Sequence, residues 1–212
     1  MWLGPTPWRP YNGEIIKGWP GGWRLFRDYS GGEMTDAGAH FMDIVQWGLG
    51  TERTGPVEII PPDGKNARHL TYVYANGTEV VHNPAKGVGK HGALFVGTEG
   101  TIAVDGRHLE TNPASIANKP IGPDEVHLHR STNHHTDWLR AIRTRQKPIC
   151  DAEAGCRAVT VCHLGNIARW LGRPLKWNPV NEEFVGDAEA NRYLDRARRE
   201  PTPSASAFTG RR

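Results

Sequence analysis

Short turn-forming dipeptides between runs of strand-forming residues set the strongest limit on what this chain can fold into. Asn76-Gly77 separates Leu70–Tyr74 from Glu79–His82, and Glu99-Gly100 separates Ala93–Gly97 from Thr101–Val104. Strands joined by so few residues run antiparallel, because a parallel return needs a crossover of about a dozen residues or more. Asn-Gly predicts a two-residue turn of the I′ kind. Val57–Ile60 reads as a further strand ahead of these, and Leu175–Trp177 as a short last one. Pro113, Pro120 and Pro123 interrupt any period across 106–128, which therefore reads as irregular.

Helical spacing marks the rest. Ala37, His40, Phe41, Ile44, Val45 and Gly48 recur at three- and four-residue intervals and predict a helix over 33–49, stopped by Gly48-Leu49-Gly50. A second helix is expected at about 133–146, capped by Asn133, with Trp138, Leu139 and Ile142 as its buried stripe. A third is expected over 152–171, with Val159, Cys162, His163, Ile167, Trp170 and Leu171 on one face and Gly172 as its C-terminal cap. Residues 187–199 predict a small polar helix. The pattern predicts an α+β fold: a mostly antiparallel open β-sheet with helices packed on one face, the other left to a ligand or partner subunit. One domain over 1–199 is expected. Its residues 1–30, with Trp2, Trp8, Trp19 and Trp23 among Pro and Gly, form a shaped loop layer, and 200–212 form a disordered tail.

Composition removes several classes of function. A formal net charge of +3 is weakly basic, and much of the excess lies near the C-terminus in Arg192, Arg196, Arg198, Arg199, Arg211 and Arg212. A nucleic-acid binder would want a basic stripe interleaved with aromatic platforms, which the chain lacks. No apolar run approaches the length of a membrane span. Cys150, Cys156 and Cys162 are odd in number and form no C-x-x-C pair, so they read as reduced core residues of a cytoplasmic chain. His127, His129, His134 and His135 crowd together, yet their spacing matches no standard metal site, and no metal is expected.

Chemistry is concentrated in Asp36-Ala-Gly-Ala-His40-Phe-Met-Asp43, behind Gly31-Gly32. Residues four apart share a helix face, so Asp36 and His40 would sit one turn apart. An imidazole with a carboxylate to hold and tune it is what proton removal from a substrate hydroxyl requires. His163, on an apolar helix face, reads as structural. No G-x-G-x-x-G turn leads from a strand into a helix, and no G-x-x-x-x-G-K-[ST] occurs, so nothing here is built to cradle a pyrophosphate.

Seven collinear stretches together resemble the C-terminal domain of the Gfo/Idh/MocA oxidoreductases, the glucose–fructose oxidoreductase and inositol dehydrogenase superfamily, across roughly residues 1 to 195. They are Trp2–Trp8, Trp23–Gly32, Met34–Asp43, Gly55–Ile59, Arg140–Pro148, His163–Ala168 and Leu171–Trp177. The resemblance implies that His40 is the general base taking a hydroxyl proton while hydride leaves the same carbon, and that Asp36 orients or tunes it. It implies that Trp23, Arg24, Asp28 and Tyr29 shape a sugar pocket. It also implies NAD or NADP as the cofactor, bound by a Rossmann domain and an E-K-P lysine that these residues do not include. The cofactor would then arrive with another polypeptide, since side chains accept no hydride.

The expected ligand is a carbohydrate or cyclitol, oxidised at a secondary alcohol or reduced as the ketone. The expected assembly is a homo-oligomer through the sheet face, with neither nucleic acid nor membrane as partner. Two other readings remain open. The domain could be a non-catalytic sugar-binding or oligomerisation module, or a cofactor-independent lyase or isomerase using His40 on an already oxidised sugar.

Overall fold

The computed structural model describes residues 3–65, 67–82, 92–105 and 108–200. Trp2 of the expected loop layer, and the expected tail from 201 onward, lie outside the described residues. Five helices are seen there: α1 (Ala37–Gly48), α2 (Ser115–Asn118), α3 (His134–Thr144), α4 (Ala152–Leu171) and α5 (Ala188–Asn191). The strands are β1 (Glu58–Ile60), β2 (Leu70–Val73), β3 (Glu79–His82), β4 (Ala93–Val96), β5 (Thr101–Val104), β6 (Leu109–Asn112), β7 (Leu175–Asn178) and β8 (Glu183–Phe184).

The architecture is α+β, and every described strand pair is antiparallel. The strands fall into two sheets rather than the one expected: five strands in the order β3-β2-β1-β7-β8, and three in the order β4-β5-β6. By contacts the chain forms two compact units, Met1–Ala39 with Thr54–Asn83 and Val159–Arg212, and His40–Arg53 with Pro84–Ala158.

In the first unit, Ile59 faces both Tyr72 and Leu175 across the ladder. With Leu70 and Trp177 these side chains form the buried face of the five-stranded sheet. The stretch of α4 from Val161 to Ala168 is buried almost all round and supplies Val161, Cys162, Leu164 and Ile167 to the same core. Burying each such aliphatic or aromatic side chain is worth about 1.5–3 kcal/mol. Gly165 permits the close approach: a β-carbon there would lie 2.1 Å from the Tyr72 hydroxyl and 2.8 Å from Leu70 Cδ2. Gly172, at φ 65, ends α4 with its N–H on the Ala168 carbonyl.

The β2–β3 hairpin forms as expected, but its turn is not type I′. That turn needs positive φ at both central residues. Here Gly77 alone has it, at φ 84, and its N–H bonds the Tyr74 carbonyl at 2.9 Å. The loop is therefore Ala75-Asn76-Gly77, a three-residue connection with Gly in the left-handed position. Residues 106–128 hold more structure than expected: β6 pairs with β5, and α2 follows Pro113. Strand β8 was likewise not legible, being only two residues long.

Buried stripes differ from the expected ones in two helices. In α1 the buried residues are Gly38, Met42 and Gln46, not the Ala37/His40/Phe41 stripe. Gln46 tolerates burial because its amide donates to the Thr51 carbonyl at 3.0 Å and accepts from the Thr51 hydroxyl at 2.7 Å. In α3 the cap at Asn133 forms as expected, accepting from Thr136 N–H at 3.0 Å. Asp137 and Ala141 are its buried positions, whereas Trp138, Leu139 and Ile142 are exposed. Asp137 can be buried because Arg140 and the Ile149 N–H both donate to it.

Candidate functional site

The first unit contains a cavity of about 800 Å³, a size suited to a small organic ligand. The Leu3–Thr6 segment lines it, together with one face of α4 and the segment Tyr193–Arg198. That C-terminal segment is tied down beside the N-terminal one, since Arg199 N–H donates to the Pro5 carbonyl at 2.9 Å. The Arg199 guanidinium also lies 4.4 Å from the Trp8 ring centroid.

Of the residues expected to shape a sugar pocket, Trp23, Asp28 and Tyr29 line this cavity and Arg24 does not. Trp23 presents an exposed indole, and Trp170, Trp177 and Tyr193 add further ring surface. Asp28 is held by an ion pair with Arg9, whose guanidinium also lies 5.3 Å from the Tyr29 ring centroid. His163, which reads from sequence as structural, is half-buried and lines the same cavity. Burial, and then the charge of Arg196, hold its pKa below the ordinary histidine value.

Arg24 does something the sequence did not announce. It is buried, 6% exposed, at the centre of a polar cluster. Its Nε donates to Asp36, one terminal nitrogen donates to Glu33, and the other to the Pro20 carbonyl at 2.9 Å. Its hydrogen bonds to Asp36 and then to Glu33 push the Arg24 pKa up. Asp36, immediately before α1, is thus occupied as the counter-ion of Arg24. His40 belongs to the second unit, in the first turn of α1, where its side chain is exposed. Asp43, one turn on, is exposed as well. The structure therefore brings together Trp23, Asp28 and Tyr29 around the cavity, and separately Arg24 with Asp36.

A dinucleotide has no fitting cradle among the described residues. The letters Gly87-Val-Gly-Lys-His-Gly92 do match the bare glycine spacing. Yet the element that follows is strand β4, where a pyrophosphate site needs a helix N-terminus. Both sheets are antiparallel, without the parallel β-α-β unit that a dinucleotide fold is built from. Among the described residues no three His, Cys, Asp or Glu side chains gather to hold a metal ion. No described helix is long and apolar enough to cross a membrane.

No curated protein matches the chain. Residues 1–203 match the family model described as oxidoreductase family, C-terminal alpha/beta domain. With nearly its whole length covered, the chain belongs to the Gfo/Idh/MocA oxidoreductase family and is its C-terminal domain.

Proposed function

We propose that this chain is the substrate-binding domain of an NAD(P)-dependent oxidoreductase acting on a secondary alcohol of a sugar or cyclitol, or on the corresponding ketone. The observation that carries the reading is the cavity of the first unit, with the family membership behind it. The exposed Trp23 indole suits the C–H face of a sugar ring, while the polar edges of Asp28, Tyr29 and His163 suit its hydroxyls. Since the described residues offer no dinucleotide cradle, the nicotinamide would be held by a partner domain, and the hydride acceptor belongs there.

The chain's share of the chemistry is then proton handling at the hydroxyl oxygen. His40, exposed at the start of α1 in the second unit, is the base that the family resemblance proposes, an imidazole being able to take the proton of a hydroxyl. Asp36 is the less suitable proton carrier, because Arg24 already holds its carboxylate. Its proposed part is that of a fixed negative charge at the head of α1. Supplying a dinucleotide-binding domain of the family in trans should give sugar-dependent nicotinamide reduction, lost in His40→Ala. Sugar-dependent turnover without added nicotinamide would favour a lyase or isomerase instead. Absence of any turnover with a full panel of sugars and cyclitols would overturn the catalytic reading.

Assembly through the five-stranded sheet is a second proposal, favoured by the face opposite the core. Ile60, Thr71 and Val73 are only half-covered there, and Val81 of β3 is 48% exposed. β-branched residues without cover on a sheet suit a second copy of the same face. Light scattering that finds a strict monomer at micromolar concentration would reject it.

A further inference from the structure

We propose that the cavity of the first unit takes a polyol carrying an anionic group, a carboxylate or a phosphate, whose charge is received by Arg27 and Arg196. This rests on the reading of that cavity as the substrate site and narrows its ligand class.

Two guanidinium groups carry the inference. Arg27 lines the cavity and is held by aromatic faces: its Cζ lies 4.2 Å from the Trp170 centroid and 4.4 Å from the Tyr193 centroid. Ring faces attract a cation and fix its plane without using its N–H donors. Arg196 lines the same cavity, and partial desolvation followed by the like charge of Arg27 lowers its pKa. Among the described residues neither Arg27 nor Arg196 forms an ion pair with a carboxylate.

Two of the three acids of the lining are engaged with other cations. Asp28, the one carboxylate whose field opposes this effect on Arg196, is ion-paired with Arg9. Asp195 is paired with Arg198 at 2.9 Å. Glu182 is the remaining acid of the lining. Two like charges held within mutual influence, with Asp28 and Asp195 of the lining engaged elsewhere, are a standing repulsion that a bound anion turns into attraction. Arginine donors also match the planar fork of a carboxylate or the oxygens of a phosphate. A neutral polyol would leave that repulsion in place. The adjoining Trp23 indole and His163 would address the uncharged part of the ligand.

Calorimetric titration of the full chain at low salt tests this, using D-glucuronate, D-glucose 6-phosphate, D-glucose and inorganic phosphate. One or both charged sugars should bind at least tenfold tighter than glucose, with affinity falling as salt rises; whichever is tighter assigns the anion. Arg27→Gln and Arg196→Gln should each lose about tenfold toward the charged sugar and much less toward glucose, with thermal unfolding confirming that both variants fold. Equal affinity for glucose and the charged sugars would overturn the anion assignment and leave the sugar-binding reading standing. Inorganic phosphate binding as tightly as glucose 6-phosphate would overturn the polyol part. If neither charged nor neutral sugar binds, the inference falls together with the cavity's role in the proposed function.

Discussion

The hydroxyl of Tyr72 occupies the space that a side chain at position 165 would need. A β-carbon on Gly165 would come within 2.1 Å of that oxygen and 3.0 Å of the ring carbon bearing it. Glycine therefore lets α4 lie close against β2. The cost is a buried phenol without a hydrogen-bond partner among the described residues. Burial pushes its pKa far up, so it remains protonated throughout the accessible pH range.

This contact predicts a strong coupling between the two positions. Gly165→Ala gains about 1 kcal/mol of helix propensity, but overpacking of a filled core costs about 1–3 kcal/mol. At so short a distance the upper end applies, leaving a net loss of about 2 kcal/mol and a Tm lower by about 4–8 °C. Tyr72→Phe removes an unsatisfied hydroxyl and should be neutral or slightly stabilising. In the double variant the closest clash disappears while that with Leu70 Cδ2 at 2.8 Å remains, so Gly165→Ala should cost less there, though not nothing. Denaturant melts of all four proteins measure the coupling; strictly additive effects would refute it.

Legibility followed the strength of local signals. The extent of α4 was legible, with Gly172 closing its C-terminal end as expected, whereas the Asp151 cap that accepts from the Ala154 N–H at the other end was not anticipated. The β2–β3 and β4–β5 hairpins were equally clear from their turn residues. The buried faces of α1 and α3 were not, because Gln46 and Asp137 are polar residues made buriable by hydrogen-bond partners that a hydrophobic pattern does not show. Thr51 serves the first, and the Ile149 N–H and Arg140 serve the second. Pattern rules count such residues as surface. In the candidate site, Trp23, Asp28 and Tyr29 were legible through family resemblance. Arg27 and Arg196 were not, for the rings that hold Arg27 come from α4 and from residue 193.

The three thiols should separate cleanly by accessibility. Burial pushes the Cys162 thiol up to about 12, and its side chain has no exposure, whereas Cys150 and Cys156 are exposed. Since the thiolate is the reactive form, a chromogenic disulfide reagent at pH 8 should titrate two thiols in the native protein. The third should react only after denaturant is added. Three equally fast thiols in the folded protein would show that α4 does not pack as described.

Acid stability should depend on Asp187. Its carboxylate accepts from Arg173 at 3.0 Å and caps α5 through the Ala190 N–H at 3.0 Å. Hydrogen bonding from Arg173 first, and from the Ala190 N–H second, depresses its pKa from 3.8 to about 2. A depressed carboxyl value means that the charged form stabilises the fold. That contribution is complete above pH 3.8 and drains away as pH falls toward 2. Asp187→Asn should therefore lower Tm at pH 6 and flatten its decline between pH 4 and about 2. An unchanged acid slope would show that the pair does not form in solution.

Arg24 should prove to be an organising residue whose charge alone is insufficient. It is buried and serves three acceptors in different directions: Asp36, Glu33 and the Pro20 carbonyl. A guanidinium fixes its donors in one plane, whereas an ammonium on a flexible stem cannot span the same three groups. Arg24→Lys keeps the charge and should still lower Tm by several degrees, roughly 2–4 °C for each kcal/mol lost. The Trp19 ring, 6.0 Å from the Arg24 guanidinium carbon, should report the change as a shift in tryptophan emission. Arg27→Lys, at an exposed site resting on two rings, should move Tm much less. In a reconstituted enzyme, Arg24→Lys should lower kcat beyond what its folded fraction explains, because Asp36 at the head of α1 would lose its fixed position. Unaltered melting and unaltered kcat in Arg24→Lys would mean that the cluster is a surface charge network and not a support for α1.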